Sequence, residues 1–301
     1  MKITALVNRG SGTVVNKSLT AEHLRELFQK AGTEADVRLI PGEEICDAAR
    51  EAVANGAEAV VAGGGDGTIR AVASVLVGGK IPLGVLPVGT LNHFARDLGV
   101  PTDLEAAARL VSEGEVHSLD VGEVNGEIFI NNSGLGFYPP VVQVRDAERR
   151  KLNRNKWLAT ISALFKVLPK MHTLHLRIKA DGMEVGRMTR FVFVGNNEYQ
   201  MSAFNYGARD RFDSGDLYLY ISKSRTRLAL VGVALLGLVR DVTRTGHFDS
   251  FQLPEFTVET ERKALPVYLD GEVTVMTPPL QYRVRPCALP VILPPSSPAP
   301  R

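Results

Sequence analysis

A run of glycines after a short apolar segment is the part of the sequence best suited to chemistry. Residues 59–62 are apolar, and the next six are Gly63, Gly64, Gly65, Asp66, Gly67 and Thr68. Glycine lets backbone N–H groups approach an anion closely, and a helix start adds the positive end of its dipole. The run lacks the Lys-Ser/Thr pair of a P-loop and the spacing of dinucleotide-binding turns. It predicts a phosphate-binding turn of another kind, because a plain Gly-Asp-Gly turn does not need three preceding glycines.

Asp66 is an unexpected residue in a phosphate site, because its charge has the same sign as the ligand's. A carboxylate there would repel phosphate unless it faced a Mg²⁺ ion, a ribose hydroxyl or backbone donors. The sequence therefore implies a cation, and we predict Mg²⁺ with Asp66 among its ligands.

Two further turns of this type lie on either side of the glycine run in the sequence. Asn8, Ser11 and Gly12 follow the apolar residues 3–7, and Gly89, Thr90 and Asn92 follow the apolar residues 83–86. Their N–H groups and hydroxyls could hold more of a triphosphate if the preceding strands were neighbours. Taken alone, each of these turns is equally well explained as a capped helix start.

The residues before about 119 predict alternating strands and helices. Strands are predicted at 3–7, 59–62 and 83–86, and helices at 21–31, 44–54, 69–77 and 104–112. This alternation indicates a parallel sheet with helices on both faces, whose ligands bind at the carboxyl ends of the strands. We predict an α/β domain at residues 1–122.

From about Asp120 the apolar residues recur with a period of two. Leu174, Leu176 and Ile178 alternate with polar residues, and Asn125-Gly126 and Asp181-Gly182 are typical hairpin turns. The pattern predicts a mainly antiparallel β domain at residues 123–286, with helical interruptions at 157–168 and 228–241. A C-terminal tail is predicted at 287–301, and its Pro/Ser-rich part from 294 is expected to be disordered.

Composition excludes several classes of protein. The 301 residues are 45% apolar and 23% charged, as in ordinary globular domains. Lys plus Arg, 35, nearly balance Asp plus Glu, 33, which argues against a nucleic-acid partner. The two cysteines, Cys46 and Cys287, form neither a zinc motif nor a disulfide framework. The apolar run at 3–7 is too short for a signal peptide, so we expect a cytoplasmic protein.

Together these motifs resemble the diacylglycerol kinase catalytic family, which includes bacterial lipid kinases and sphingosine kinases. The matching segments occur in the family's order and span nearly the whole chain: Gly64 to Thr68, Pro87 to Arg96, Asn131-Asn132-Ser133 with Gly136, and Leu269-Asp270-Gly271-Glu272. The resemblance implies an NAD kinase-like nucleotide-binding domain and an antiparallel β-sandwich lipid domain, with the site in the cleft between them.

The resemblance also assigns roles to individual residues. It implies ATP binding by Asn8, Ser11, Gly12, Gly64, Gly65, Asp66, Gly67, Thr68, Gly89 and Thr90, with Asn92 in the same motif. Asp120 resembles the family acid that helps to organise the Mg²⁺ network. The Asp-Gly-Glu turn is the family's source of the catalytic carboxylate.

The sequence departs from the family pattern in three places. Arg70 stands where Asn is usual, and His93 stands where Asp is commoner, so both reduce the negative charge beside the expected metal. Ser214 stands at the acidic position of the family's metal loop. Asp213 or Asp216 are the alternative ligands there.

Asp270 and Glu272 are the candidate catalytic carboxylates. Phosphoryl transfer needs bound phosphates, a cation and a carboxylate near the acceptor hydroxyl. We expect Asp270 to orient the hydroxyl and accept its proton, with Glu272 supporting it or sharing the proton. Taken alone, Asp-Gly favours a plain hairpin turn. In combination with the N-terminal motifs, it favours catalysis.

The acceptor is predicted to be a lipid, which places the enzyme in phospholipid metabolism. The apolar run 228–239 is flanked by arginines and is too short to span a bilayer. It could line an acyl-chain groove or make peripheral contact with the inner face of the membrane, and a basic segment at 149–156 repeats the arrangement. A buried helix with solvated charged ends explains both stretches equally well. The sequence does not identify the lipid or the oligomeric state.

Two other functions remain open. NAD kinases share the Gly-Gly-Asp-Gly block, although the acidic turn and the apolar stretches favour a lipid acceptor. A pseudokinase that binds nucleotide or lipid without turnover would account for Arg70, His93 and Ser214. The presence of Asp66, Asp120, Asp270 and Glu272 argues against it.

Overall fold

The structure is a computed structural model that describes residues 1–136, 172–198, 211–224 and 246–295, and the single residues 226, 229 and 232. The chain divides into two units. Unit 1 contains Met1–Val121, Arg211–Gly215 and Arg285–Arg301, and unit 2 contains Gly122–Asp210 and Asp216–Val284. The predicted helix at 157–168, most of that at 228–241 and the basic segment at 149–156 lie outside the described residues.

Unit 1 is an α/β unit, as the sequence predicted. Its strands are β1 (Ile3–Asn8), β2 (Ala35–Ile40), β3 (Ala59–Gly63) and β4 (Leu83–Leu86). They form a parallel sheet in the order β2-β1-β3-β4, and the end of β16 (Leu280–Leu293) pairs with β4 at Val291 and Leu83. All five residues of β3 are buried, which explains its continuous apolar run.

Six α-helices of unit 1 accompany this sheet. They are α1 (Gly12–Lys17), α2 (Ala21–Lys30), α3 (Ile45–Ala54), α4 (Asp66–Leu76), α5 (His93–Asp97) and α6 (Leu104–Glu113), and a 3-10 turn lies at Gly42–Glu44. Helix α2 contacts α6, and α3 contacts α4. Because parallel crossovers are right-handed, the connection from β1 to β2 and that from β2 to β3 lie on opposite faces of the sheet.

Unit 2 is built from antiparallel sheets. One has six strands in the order β12 (Phe248–Leu253), β11 (Leu217–Ser222), β10 (Phe191–Asn196), β7 (Asn132–Gly136), β14 (Leu265–Leu269) and β15 (Glu272–Met276). In the other, the first part of β16 pairs with β13 (Glu255–Glu259), followed by β8 (Leu174–Ala180) and β9 (Met183–Thr189). Strand β5 (Glu115–Val124) forms a hairpin with β6 (Glu127–Phe129).

One hydrophobic core lies between the two sheets of unit 2, which makes the unit a β-sandwich. Leu176 and Ile178 of β8 share this core with Val194 of β10 and Leu219 of β11. Tyr282 is buried at its centre and stacks on Phe256, with the ring centroids 4.8 Å apart. Burial raises the pKa of Tyr282, so its hydroxyl stays protonated and pairs with the Ser133 hydroxyl at 3.0 Å.

The structure corrects two sequence-based expectations. Strand β2 was not predicted, because it lies at the sheet edge and only Val37 of its six residues is buried. The tail expected at 287–301 begins later, because β16 continues to Leu293. Leu289, Val291, Ile292 and Leu293 are buried, so this part of the chain completes the core of unit 1 rather than leaving it.

Candidate active site

The three glycine-containing turns meet at the carboxyl edge of the unit 1 sheet. Strand β1 has β2 on one side and β3 on the other, so the order of the strands reverses between β1 and β3. Ligands of open α/β sheets bind at such a switch point, outside the carboxyl ends of the strands. The turns that follow β1 and β3 are 8–12 and 63–68, which are the turns the sequence selected.

Hydrogen bonds join every pair of these turns. Asn8 Nδ2 donates to Thr68 Oγ1 at 3.2 Å, which links the first turn to the second. Gly89 N donates to the Gly64 carbonyl at 3.2 Å, which links the third to the second. Thr13 N donates to the Val88 carbonyl at 3.0 Å, which links the start of α1 to the third turn. The three turns therefore form one connected surface.

Gly65 and Gly89 allow the second and third turns to touch. A Cβ on Gly89 would overlap the Cα of Gly65 and lie 2.6 Å from its nitrogen. Neither contact can be relieved by a side-chain rotation, because both partners are backbone atoms. Gly89 therefore serves the packing of the two turns, a requirement that the sequence could not distinguish from phosphate binding.

Asp66 binds backbone donors, which is one of the three alternatives that its sequence position allowed. Its Oδ1 accepts from Phe94 N at 2.9 Å and its Oδ2 from His93 N at 3.2 Å. The aspartate thereby supplies the cap at the start of α5. A carboxylate can accept up to four bonds, so these two do not prevent coordination of a cation. A Mg²⁺ ligand at Asp66 stays a prediction.

Two of the remaining predicted site residues have hydroxyl groups that could bind a ligand, and a third holds its own turn in place. The hydroxyls of Ser11 and Thr90 make no hydrogen bond within the part of the chain that the structure describes. Thr90 is exposed, and its Oγ1 would lie 2.9 Å from a Cβ on Gly12. Asn92 holds the third turn from within, because its Nδ2 donates to the carbonyls of Pro87 and Gly89 at 3.0 and 3.1 Å.

One neighbour of the site in unit 1 was not predicted from the sequence. The turn Gly42–Glu44 follows β2, and a Cβ on Gly42 would lie 2.9 Å from Asn8 Nδ2. It was missed because strand β2 itself was not predicted. A separate groove of about 430 Å³ lies along α6, and it is lined by Asp103, Glu105, Ala106, Arg109, Leu110, Glu113, Gly114 and Pro295. None of these is a predicted site residue.

The acidic turn of unit 2 is organised around Asp270. This residue is 3% exposed, and its carboxylate accepts from Ile130 N at 2.6 Å, Asn131 N at 2.8 Å and Asn132 N at 3.0 Å. Asp270 and Gly271 have positive φ angles, and they join β14 to β15 in a hairpin. The hairpin turn is therefore confirmed, and a catalytic role for its carboxylates stays a prediction. Glu272 begins β15 and is exposed.

Asn196 belongs to the same polar cluster and was not selected from the sequence. It is 1% exposed, its N–H donates to the Asn131 carbonyl at 2.9 Å, and its Nδ2 donates to the Ile130 carbonyl at 3.0 Å. The only signal was the Gly-Asn-Asn end of a strand, which is also typical of an ordinary turn.

Hydrogen bonds and an ion pair among the described residues hold the 211–217 loop. Asp120 in unit 1 is 3% exposed, and its oxygens accept from Gly215 N at 2.7 Å and Cys287 N at 2.9 Å. Asp213 lies 3.5 Å from the Arg211 guanidinium, and in unit 2 Asp216 accepts from Gln252 at 2.7 Å. Within the described ranges no three His, Cys, Asp or Glu side chains form a metal-binding group.

Cys287 lies beside two of these acids. Burial, followed by the charges of Asp120 and Asp213, raises the pKa of its thiol. The hydrogen bonds to Asp120 hold the 211–215 segment, so its position does not require a metal. Metal ligands at Asp120, Asp213 or Asp216 stay a prediction.

Replacing Gly89 by Ala should disrupt the contact between the second and third turns. We expect the free energy of unfolding to fall by about 1–3 kcal/mol because the new methyl group overlaps backbone, and nucleotide binding to be lost. Thermal unfolding and calorimetric titration measure the two effects. Gly186→Ala is the control, because a Cβ there has nothing within 4 Å. Unchanged stability and binding in G89A would contradict the tight contact.

The 211–215 segment should be held in place without metal. In the absence of nucleotide, unfolding temperatures in Mg²⁺ and in excess EDTA should agree. Asp120→Ala should lower the free energy of unfolding by about 2–4 kcal/mol, because two backbone N–H groups lose their acceptor. A Mg²⁺-dependent rise of several degrees that disappears in D120A would instead indicate a cation at this loop.

The chain is similar in sequence to known proteins of one family. Residues 2–124 match the diacylglycerol kinase catalytic domain. A "Probable lipid kinase YegS-like" protein of Pseudomonas aeruginosa is 34% identical over 278 residues, covering 90% of this chain and 88% of the relative. A "Diacylglycerol kinase" of Bacillus subtilis is 29% identical, covering 91% and 90%.

The fold also matches a solved structure. A crystal structure of a diacylglycerol kinase from Bacillus anthracis aligns over 98% of both chains with a TM-score of 0.70 at 21% identity. The sequence motifs, the fold and the full-length relatives agree: the chain belongs to the diacylglycerol kinase catalytic-domain family of lipid kinases.

Proposed function

We propose that this protein is an ATP- and Mg²⁺-dependent kinase that phosphorylates the hydroxyl group of a diacylglycerol-like lipid. The observation that carries the proposal is the meeting of three donor-rich turns at the switch point of the unit 1 sheet. The named activities of the relatives support a lipid acceptor. The family membership implies a phosphate donor and, in general, a divalent metal.

The donor would bind to the connected turns of unit 1. The first N–H groups of α4 have no acceptor within the helix, and they lie in the turn that also carries Gly64 and Gly65. Ser11 and Thr90 add hydroxyl donors beside them. Bound Mg²⁺ would offset the charge that develops on the transferred phosphoryl group, with Asp66 as its protein ligand.

In the reaction, the lipid hydroxyl oxygen forms a bond to the γ-phosphorus, and the bond from that phosphorus to the β,γ-bridging oxygen breaks. ADP leaves with the electron pair of the broken bond. The hydroxyl proton passes to a carboxylate of the protein.

The surroundings of the two carboxylates favour Glu272 as the acceptor of that proton. Asp270 is buried, and three backbone N–H groups donate hydrogen bonds to its carboxylate and fix its position. Glu272 is exposed to solvent at the start of β15. We therefore propose Asp270 as a positioning residue for the 130–132 segment, which refines the expectation that Asp270 accepts the proton and Glu272 supports it.

Membrane contact would be peripheral under this proposal, at the cytoplasmic face where the lipid headgroup is accessible. In the described part of the chain, no helix has the length and apolar character needed to cross a bilayer. The basic and apolar stretches expected to touch the membrane lie outside the described residues.

The activity is tested by incubating the protein with γ-labelled ATP, Mg²⁺ and a panel of acceptors. The panel contains diacylglycerol, phosphatidylglycerol, a sphingoid base, a polyprenol and NAD, and the products are separated by chromatography. We expect label in a lipid of the diacylglycerol type. Label in NAD alone, or nucleotide binding without transfer to any acceptor, would contradict the proposal.

Two matched substitutions separate the roles of the carboxylates. Glu272→Gln should leave the unfolding temperature and the KM for ATP unchanged while kcat falls by about 10²–10⁴-fold, the usual contribution of a general base. Asp270→Asn should lower the unfolding temperature, because its amide nitrogen cannot accept the backbone N–H groups. Glu255→Gln, an exposed change on β13, is the control.

Other results would assign the proton to a different carboxylate or exclude a catalytic role for both. If E272Q keeps normal turnover while folded D270N has none, the proton goes to Asp270. If both variants keep normal turnover, the acidic turn is not catalytic.

A further inference from the structure

The three turns at the switch point have very few charged side chains for a site that would bind a triphosphate. The segments 8–12, 63–68 and 86–92 contain one basic residue, Arg9, and one acidic residue, Asp66. They contain no lysine, in contrast to a P-loop. Backbone N–H groups are dipoles without net charge, so Arg9 is the one cationic side chain that these three segments offer to a polyanion bound there.

Arg9 is also available to a ligand, unlike most arginines of unit 1. Arg25, Arg38 and Arg50 are ion-paired with carboxylates at 3.2, 2.8 and 2.6 Å, and Arg109 pairs with Glu105. The Arg9 side chain is exposed and makes no ion pair or hydrogen bond with any described residue. The carboxylate of Asp66, in turn, already binds two N–H groups.

The backbone of Arg9 is held in place although its side chain is not. Its N–H donates to the Ile40 carbonyl at 3.0 Å, and the next residue, Gly10, donates to Asn8 Oδ1 at 2.8 Å. Ser11 N donates to the Asn8 carbonyl at 3.0 Å. The exposed Arg9 side chain is therefore attached to a fixed backbone position within the first of the three turns.

Arg96 is the other described arginine of unit 1 with no such partner, but its position has a structural explanation. It lies in the last turn of α5, where a positive charge is favourable next to the negative end of the helix dipole. Arg9 lies on a turn and not at the end of a helix, so no helix dipole explains a positive charge at this position.

We propose that Arg9 binds the phosphates of the nucleotide donor. A guanidinium offers several N–H donors in a planar fork that can bind two phosphate oxygens at once. Lysine could supply the charge but not that fork. This inference rests on the proposed function, because it requires a phosphate ligand at the three turns.

The test compares ATP with adenosine in calorimetric titrations of the full chain and its variants. Arg9→Ala should weaken ATP binding roughly tenfold to a hundredfold, the range expected for hydrogen bonds to a charged group. Adenosine binding should not change, because adenosine has no phosphate. Arg9→Lys should recover part of the loss. Arg50→Ala, an exposed arginine change on α3, should bind both ligands as the wild type does.

The outcomes distinguish this inference from the proposed function. Wild-type protein that does not bind ATP would overturn the proposed function and this inference with it. If the wild type and R9A bind ATP equally well, only the role of Arg9 is overturned. Equal weakening of ATP and adenosine in R9A, or a lowered unfolding temperature in both R9A and R9K, would show that Arg9 acts on the structure of the turn and would also overturn the inference.

Discussion

The direct contact between the backbones of Gly65 and Gly89 is the constraint on which the candidate nucleotide site depends. It brings the turn after β3 against the turn after β4, and no residue with a Cβ fits at Gly89. Because Asn8 joins Thr68, and Thr13 joins Val88, the turn after β1 is bound to the same surface. The site is therefore a property of three turns together, and none of them would present its donors in this arrangement alone.

Buried or half-buried aspartates organise the rest of the candidate site residues. Asp66 caps α5, Asp120 holds Gly215 and Cys287, and Asp270 holds the 130–132 segment. In each case the acceptor and the donors are distant in the sequence, so each carboxylate fixes a long-range contact. Removing a carboxylate with this role lowers the free energy of unfolding even if the carboxylate never touches a substrate. Family motifs in this protein therefore combine structural and chemical requirements.

Much of the architecture follows from local patterns in the chain. The alternating runs before residue 119 predicted β1, β3, β4 and four of the helices, because buried parallel strands are apolar throughout and their helices are amphipathic. The period of two at Leu174, Leu176 and Ile178 predicted β8 of the sandwich. The edge strand β2 was not predicted, because a strand at a sheet edge buries few residues and so lacks a clear apolar pattern. The end of β16 was not predicted, because the segment from 287 was expected to be a tail.

The sequence by itself determined the class of each unit, the family, and the presence of three donor-rich turns and one acidic turn. These properties depend on local composition and spacing, which the order of residues in the chain specifies directly. Only the tertiary structure decided which of those residues contact each other. The backbone of Gly65 leaves no room for a side chain at Gly89, and Asp66 accepts hydrogen bonds from backbone N–H groups. Asp270 is buried, while Glu272 is exposed. Such contacts depend on which segments become neighbours in space. The residue type alone does not show whether a carboxylate binds backbone, metal or substrate.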